Sequence, residues 1–240
     1  IDSILGALRD AVSIKFTVKT RIGFDSPAIF DELLPIFAKH SLDLLTVHAR
    51  TVAQMYRLPI RYDLIRRASE AMPCPVLANG HVYSADQALA VLAETKACGL
   101  MIGRGAIRSP WLLNQIRQRL RGEPLTHPTG RDVLGYVRAL WESQATPTAM
   151  ESARVQRMKK FMNYIGEGIR PERRSPNRLD LEEINASQHA DSEIGAPAAA
   201  GFLHQIRRSQ TREDFFRICR EFLDHDEPMP LEPDSESLAT

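Results

Sequence analysis

Apolar and polar positions are spaced in two different ways along this chain, and the change falls near residue 110. Over the first 105 residues, short β-branched apolar runs alternate with stretches of helical period. The runs Ile14–Lys19, Leu44–His48, Pro75–Ala78 and Leu100–Ile102 predict strands, apolar enough to be buried on both faces of a parallel sheet. Helices are predicted between them, over about Ala28–His40, Ile60–Ala71 and Ala85–Glu94, with Pro27 and Ser84 as start residues. Ile1-Asp2-Ser3 reads as the middle of a helix without an initiator Met, so the chain is expected to be a fragment.

The strand ends at Lys19, His48, Asn79 and Gly103 are spaced by 29, 31 and 24 residues, the period of a βα unit. Four such units make half of a (β/α)8 TIM barrel, a fold that needs about 250 residues when complete. After Pro110 only helices are predicted: Trp111–Arg121, Arg131–Gln144, Glu151–Ile165 and Arg212–Leu223. Between the last two, residues 166–200 are polar, punctuated by Pro and Gly and aperiodic, which predicts a long loop or disordered insertion. The expected organisation is a half-barrel over 1–122, an all-helical domain over 123–225, and an acidic disordered tail over 226–240.

Composition narrows little. With 43% hydrophobic and 25% charged residues the 240-residue chain can bury a core without a metal or disulfide staple. The formal net charge of +1 neither announces nor excludes a nucleic-acid partner, so local clustering has to carry that question. Cys74, Cys98 and Cys219 form no CxxC pair and suit a reducing, cytoplasmic setting; Cys74 and Cys98 sit among apolar neighbours and are expected to be buried and inert. No apolar run approaches a membrane span of about 20 residues, and no metal-ligand spacing is read.

Chemistry concentrates where the apolar runs stop. In a βα barrel these positions face the active site. The strands end in Lys19-Thr20-Arg21-Ile22-Gly23, His48-Ala49-Arg50-Thr51, Asn79-Gly80-His81 and Gly103-Arg104-Gly105. The last two offer close-approaching backbone and, in Arg104, a bidentate phosphate partner. Lys19 can place positive charge beside an electron-rich ring that must hold an extra electron pair, and His48 can donate to the same ring. Each alone reads otherwise: a strand-end lysine reaching for water, a rim histidine, an Asn-Gly turn.

These runs, in this order and spacing, together with Pro110-Trp111 and the later Arg157-Met158-Lys159-Lys160-Phe161-Met162-Asn163-Tyr164, resemble the FMN-dependent tRNA-dihydrouridine synthases. The resemblance is close over about Val12–Ile165 and looser over Phe202–Leu223. It implies that the four units are the second half of the TIM barrel, that Lys19 and His48 contact the flavin ring, that Asn79, Gly80 and His81 line its ribityl and phosphate side, and that Gly103 and Arg104 hold the phosphate. It further implies NADPH as reductant, a hydride delivered to C6 of a uridine flipped out of tRNA, and a cysteine that protonates C5. That cysteine is expected upstream of Ile1, since none of the three here lies in a Gly-Cys-Pro context, so no catalytic residue is nominated and the chain alone is expected to be inactive.

Two positions depart from the family pattern: His81 replaces a usual acidic residue and Ala49 a usual glycine. Arg50, on the same barrel face, is assigned to substrate or RNA backbone. Arg154, Arg157, Lys159 and Lys160 lie off the apolar stripe of their helix and are assigned to tRNA phosphates, although a solvated helix face reads equally well from charge alone. Two other readings stay open, a different FMN-barrel dehydrogenase and a degenerate half-barrel that only binds RNA or protein. A half-barrel also leaves sheet edges open, which predicts poor solubility or dimerisation. The modified uridine, the choice of NADPH over NADH and the oligomeric state are left open.

Overall fold

A computed structural model describes residues 1–55, 57, 59–145, 150–169 and 201–232. It divides into two compact units, one built on Ile1–Thr126 and the other on His127–Leu231. None of the described helices is long and apolar enough to cross a membrane.

The first unit begins with α1 (Asp2–Ala11) and then alternates β1 (Thr17–Arg21), α2 (Phe30–Lys39), β2 (Leu44–His48), α3 (Tyr62–Ala71), β3 (Val76–Asn79), α4 (Ala85–Thr95) and β4 (Gly99–Met101). Among the described residues the strands form one parallel sheet in the order β1-β2-β3-β4, each paired with its sequence neighbours. That is the connectivity of consecutive βα units and fits part of a TIM barrel. Side chains alternate across a strand, so Leu45, Val47, Val76 and Ala78 point to one face. There they join Leu33, Leu34 and Phe37 of α2, Leu64, Ile65 and Ala68 of α3, and Ala88 and Val91 of α4 in a single core. The opposite face carries Lys19, Arg21, Thr46, His48 and Asn79.

Local chemistry explains the helix starts. Ser84 accepts from the Gln87 backbone N–H at 3.1 Å and caps α4. Pro27 lies in a single 3-10 turn, Pro27–Ile29, that leads into α2. Two short helices follow β4: α5 (Arg104–Arg108) and α6 (Leu112–Leu120). The unit ends at residue 126 rather than 122 because Thr126 is tied to α6: Gln115 donates to its carbonyl at 3.0 Å and Gln118 to its hydroxyl at 2.8 Å.

In the second unit the regular elements among the described residues are helices: α7 (Gly130–Ser143), α8 (Glu151–Ile165), α9 (Phe202–Arg208) and α10 (Arg212–Leu223). Thr129 and Asp132 form a reciprocal capping box at the start of α7. The core gathers Trp141, Val155, Met158, Met162, Ile165, Phe202, Ile206, Phe215 and Cys219, with the Trp141 and Phe216 rings edge to face at 5.6 Å. Of the stretch read as a loop, Gly166–Gly168 is a 3-10 turn with Ile169 buried behind it, and 170–200 lie outside the described residues.

Acidic composition assigned 226–231 to a free tail, yet this segment runs back along the start of α7. Pro228 bridges to Thr129, Met229 N–H donates to the Pro128 carbonyl at 2.6 Å, and Leu231 is buried. Arg131 holds the segment by pairing with both Asp224 and Asp226. Residues 233–240 lie outside the described residues.

Candidate functional site

Strand register decides where the chemistry converges. Arg21 pairs with His48, His48 with Asn79 and Asn79 with Met101, so one rung crosses the whole sheet at the C-terminal ends of its strands. Lys19 stands two residues back on β1, on the same face as Arg21. The first strand runs to Arg21 rather than stopping at Lys19, but the shift is even and leaves Lys19 facing the expected way.

Over this rung lies a cavity of ≈ 340 Å³, lined by Lys19, Arg21, His48, Asn79, Gly80, His81, Val82, Tyr83, Met101, Ile102, Gly103, Arg104 and Gly105. Its size falls in the range of small-molecule sites. Every residue that the sequence assigned to flavin lines it: Lys19, His48, Asn79, Gly80, His81, Gly103 and Arg104. Among the described residues no aspartate or glutamate does, so the charged groups of the wall are cations.

Each wall residue is placed by a specific contact. The Asn79 amide donates to the Met101 carbonyl at 2.6 Å, locking the ends of β3 and β4 together. Gly80 follows at φ +127°, and the Tyr62 hydroxyl donates to its carbonyl at 2.9 Å. A Cβ on Gly105 would lie 2.1 Å from the Val82 carbonyl oxygen, so only glycine lets α5 begin this close to the loop after β3. That approach sets the Arg104 and Arg108 guanidiniums 5.8 and 4.8 Å from the Tyr83 ring centroid. Arg21 donates to the Thr51 carbonyl at 2.6 Å, tying β1 to the loop after β2.

His48 is 7% exposed, and its Nδ1 is buried without a hydrogen-bond partner among the described residues. Burial first, and then Arg21, Lys19, Arg50 and Arg104, push its pKa down to about 4, so it is neutral near pH 7. The Lys19 pKa is lowered by burial and by Arg21. Burial, followed by Arg50, Arg104 and Arg108, lowers that of His81. A wall that depresses the basicity of its own histidines and lysine is one that an anion would relieve.

Arg50 is placed differently from its assignment to substrate or RNA backbone. It is completely buried and lies behind the Gly80-His81 loop, with Nε donating to the Arg57 carbonyl at 2.8 Å and Nη1 unpartnered. RNA phosphates cannot reach a side chain with no exposed surface. Arg154 is likewise engaged inside its own unit: its guanidinium stacks 4.3 Å from the Trp141 ring centroid and donates to the Trp141 carbonyl at 2.8 Å. Arg157 and Lys160 are exposed on α8, and Lys159 is half-buried.

Sequence reasoning gave no role to Arg21, Tyr62, Tyr83 or Arg108. Arg21 was visible as a strand-end cation two residues from Lys19; the tyrosines and Arg108 carry no local signal, because their partners come from other βα units. Cys98 is exposed and Cys74 half-buried, against the expectation that both are buried. They adjoin the N-terminal ends of β4 and β3, away from the cavity, and Cys219 is buried in the second unit. Among the described residues no cysteine lines the cavity.

For FMN the fit can be tested on what is present. A buried polar atom without a partner among the described residues, His48 Nδ1, and a wall whose charged groups are cations suit an anionic ligand with hydrogen-bonding ring edges. A model of the family described as dihydrouridine synthase (Dus) matches residues 1–199. A probable tRNA-dihydrouridine synthase of Rickettsia bellii is 33% identical over 168 residues, 69% of this chain and 51% of that protein. A tRNA-dihydrouridine synthase B of Vibrio parahaemolyticus is 36% identical over 148 residues, 59% of this chain and 46% of that protein. A tRNA-dihydrouridine(16) synthase of Neisseria meningitidis is 30% identical over 186 residues, 73% and 55%. The chain spans about half the length of the curated relatives it matches. Matched across 1–199 by the family as a whole, the chain belongs to the dihydrouridine synthases.

Proposed function

We propose that this chain carries the flavin-holding part of an enzyme that reduces uridine to dihydrouridine in tRNA, with FMN as cofactor and NADPH as reductant. One observation supports it above the rest: all seven residues read as flavin contacts line one cavity at the strand ends of a dihydrouridine synthase chain. When bound, FMN would supply hydride chemistry at the C5–C6 bond of the base. Lys19 would hold positive charge beside the flavin ring, and neutral His48 would hydrogen-bond it. Asn79, Gly80 and His81 would line the ribityl and phosphate side, with Gly103 and Arg104 on the phosphate. Arg104 presents a planar guanidinium suited to bidentate phosphate contact.

In the second unit, exposed Arg157 and Lys160, with Lys159 beside them, are the cations we assign to tRNA phosphates. Each phosphate contact releases counterions and makes binding fall with salt.

The test is a visible absorption spectrum of the folded chain after FMN is added and the sample desalted. Retained flavin absorbance is the expected result, and Lys19→Ala and Arg104→Ala should each release the flavin. A folded chain that keeps none would overturn this assignment of the cavity. For the RNA face, Arg157→Ala with Lys160→Ala should reduce the slope of log affinity for tRNA against log salt by roughly 2, about one unit per lost contact. An unchanged slope would remove both residues from the interface.

A further inference from the structure

Arg50 and His81 form a pair whose chemistry fixes more than their position. His81 sits at φ +56°, directly after Gly80 at φ +127°, a backbone path that an L-residue adopts only at a cost. The path brings its Nδ1 to 3.4 Å from Arg50 Nη2. A guanidinium has donors and no acceptor, so in this contact Nδ1 has to be the acceptor. An imidazole whose Nδ1 accepts carries its proton on Nε2 when neutral. Arg50 does not line the cavity and His81 does, so the nitrogen left for the cavity is Nε2. Tyr83 fixes the ring plane with an edge-on contact at 5.2 Å between centroids.

We propose that Arg50 is a positioning residue for His81: by donating to Nδ1 it holds the imidazole as the Nε2–H tautomer and makes His81 a neutral hydrogen-bond donor to a phosphoryl-bearing ligand. The charged neighbours of His81 agree with this role. Arg50, Arg104 and Arg108 surround it, and no carboxylate among the described residues enters its electrostatics, so protonation is disfavoured and the donor stays neutral. Neutrality matters because a second proton would have to sit on Nδ1, against the Arg50 guanidinium. Burial of Arg50 serves the same end: with no exposed surface and Nε anchored on the Arg57 carbonyl, it cannot swing away to water.

This rests on the cavity binding an anion and refines the phosphate end of the proposed flavin site. Long-range 1H–15N NMR of the histidine side chains, with the His81 signals identified by their loss in His81→Gln, reads the tautomer directly. The expected spectrum of the full chain has an acceptor-type Nδ1 and a protonated Nε2, and titration with inorganic phosphate should move Nε2 with little change at Nδ1. Arg50→Met should mix the tautomers and weaken phosphate binding by ~10-fold, the loss of about one hydrogen bond to a charged group. Arg50→Lys should restore the native tautomer, which a merely structural role for Arg50 would not require. A protonated Nδ1 in the native chain, or an Nε2 indifferent to phosphate, would overturn the proposal, and either can be read without any variant. If phosphate moves Nε2 while FMN is not retained on desalting, the flavin reading fails and this one stands.

Discussion

A proton added to His48 would enter the field of Arg21, Lys19, Arg50 and Arg104 with little water to screen it, and its pKa falls from 6.5 to about 4 for that reason. Because the folded pKa is the lower one, the unfolded chain binds more protons between these values, and stability is lost as pH falls from about 6.5 toward 4. Thermal melts across that window should show the decline, and His48→Gln should flatten part of it; a melt insensitive to pH there would mean that His48 is not buried neutral. Glycine positions offer a second check. Gly105→Ala forces a Cβ to 2.1 Å from the Val82 carbonyl and should cost about 1–3 kcal/mol in urea unfolding while displacing Arg104 from Tyr83. Equal stability of the alanine variant would show that α5 can back away from the loop.

At the level of elements, the spacing of apolar residues located most of what is seen. Leu44–His48, Glu151–Ile165 and Arg212–Leu223 coincide with β2, α8 and α10, because each is bounded by a change in periodicity. Boundaries set by tertiary contact were not legible: β1 is displaced toward Arg21 by its pairing with His48, and α5 is too short to show a period. Periodicity also says which side of a helix is buried without naming what buries it. It found the stripe Val155, Met158, Met162 and Ile165, yet could not show that Arg154 reaches across to Trp141, whose ring belongs to α7. The site residues were legible because polar groups follow directly on apolar runs, whereas Tyr62 and Tyr83 act through neighbours that local sequence does not reveal. In α7, Gly135 is exposed within the helix, and an added Cβ would meet nothing within 4 Å. Gly135→Ala should therefore stabilise the second unit by about 0.5–1 kcal/mol in denaturant titration, and a loss of stability would contradict the helix seen there. Trp141→Ala in the same helix should cost about 3–5 kcal/mol, since it empties the centre of the aromatic cluster.

Across the whole chain, a net charge of +1 conceals a cavity wall on which no described carboxylate appears. Charge counted over 240 residues does not point to this wall; charge counted at strand ends does. Among the described residues β1 and β4 are the edges of the sheet, and Ile1 together with Ile4 and Leu8 of α1 is exposed. Unpaired edges and an apolar stripe invite association, so the isolated 240-residue chain should sediment as larger species with rising concentration. A monomer at all concentrations would mean that the edges are protected. The rung from Arg21 through His48 and Asn79 to Met101 has a consequence of another kind. Its members come from separate stretches of chain, and only hydrogen-bond register aligns them. Loops and outer helix faces can therefore drift in length and composition with the alignment untouched, whereas deleting a single residue inside a strand would turn one wall of the cavity to the opposite face. Tolerance to change in this molecule should consequently be read strand by strand, as a matter of odd and even.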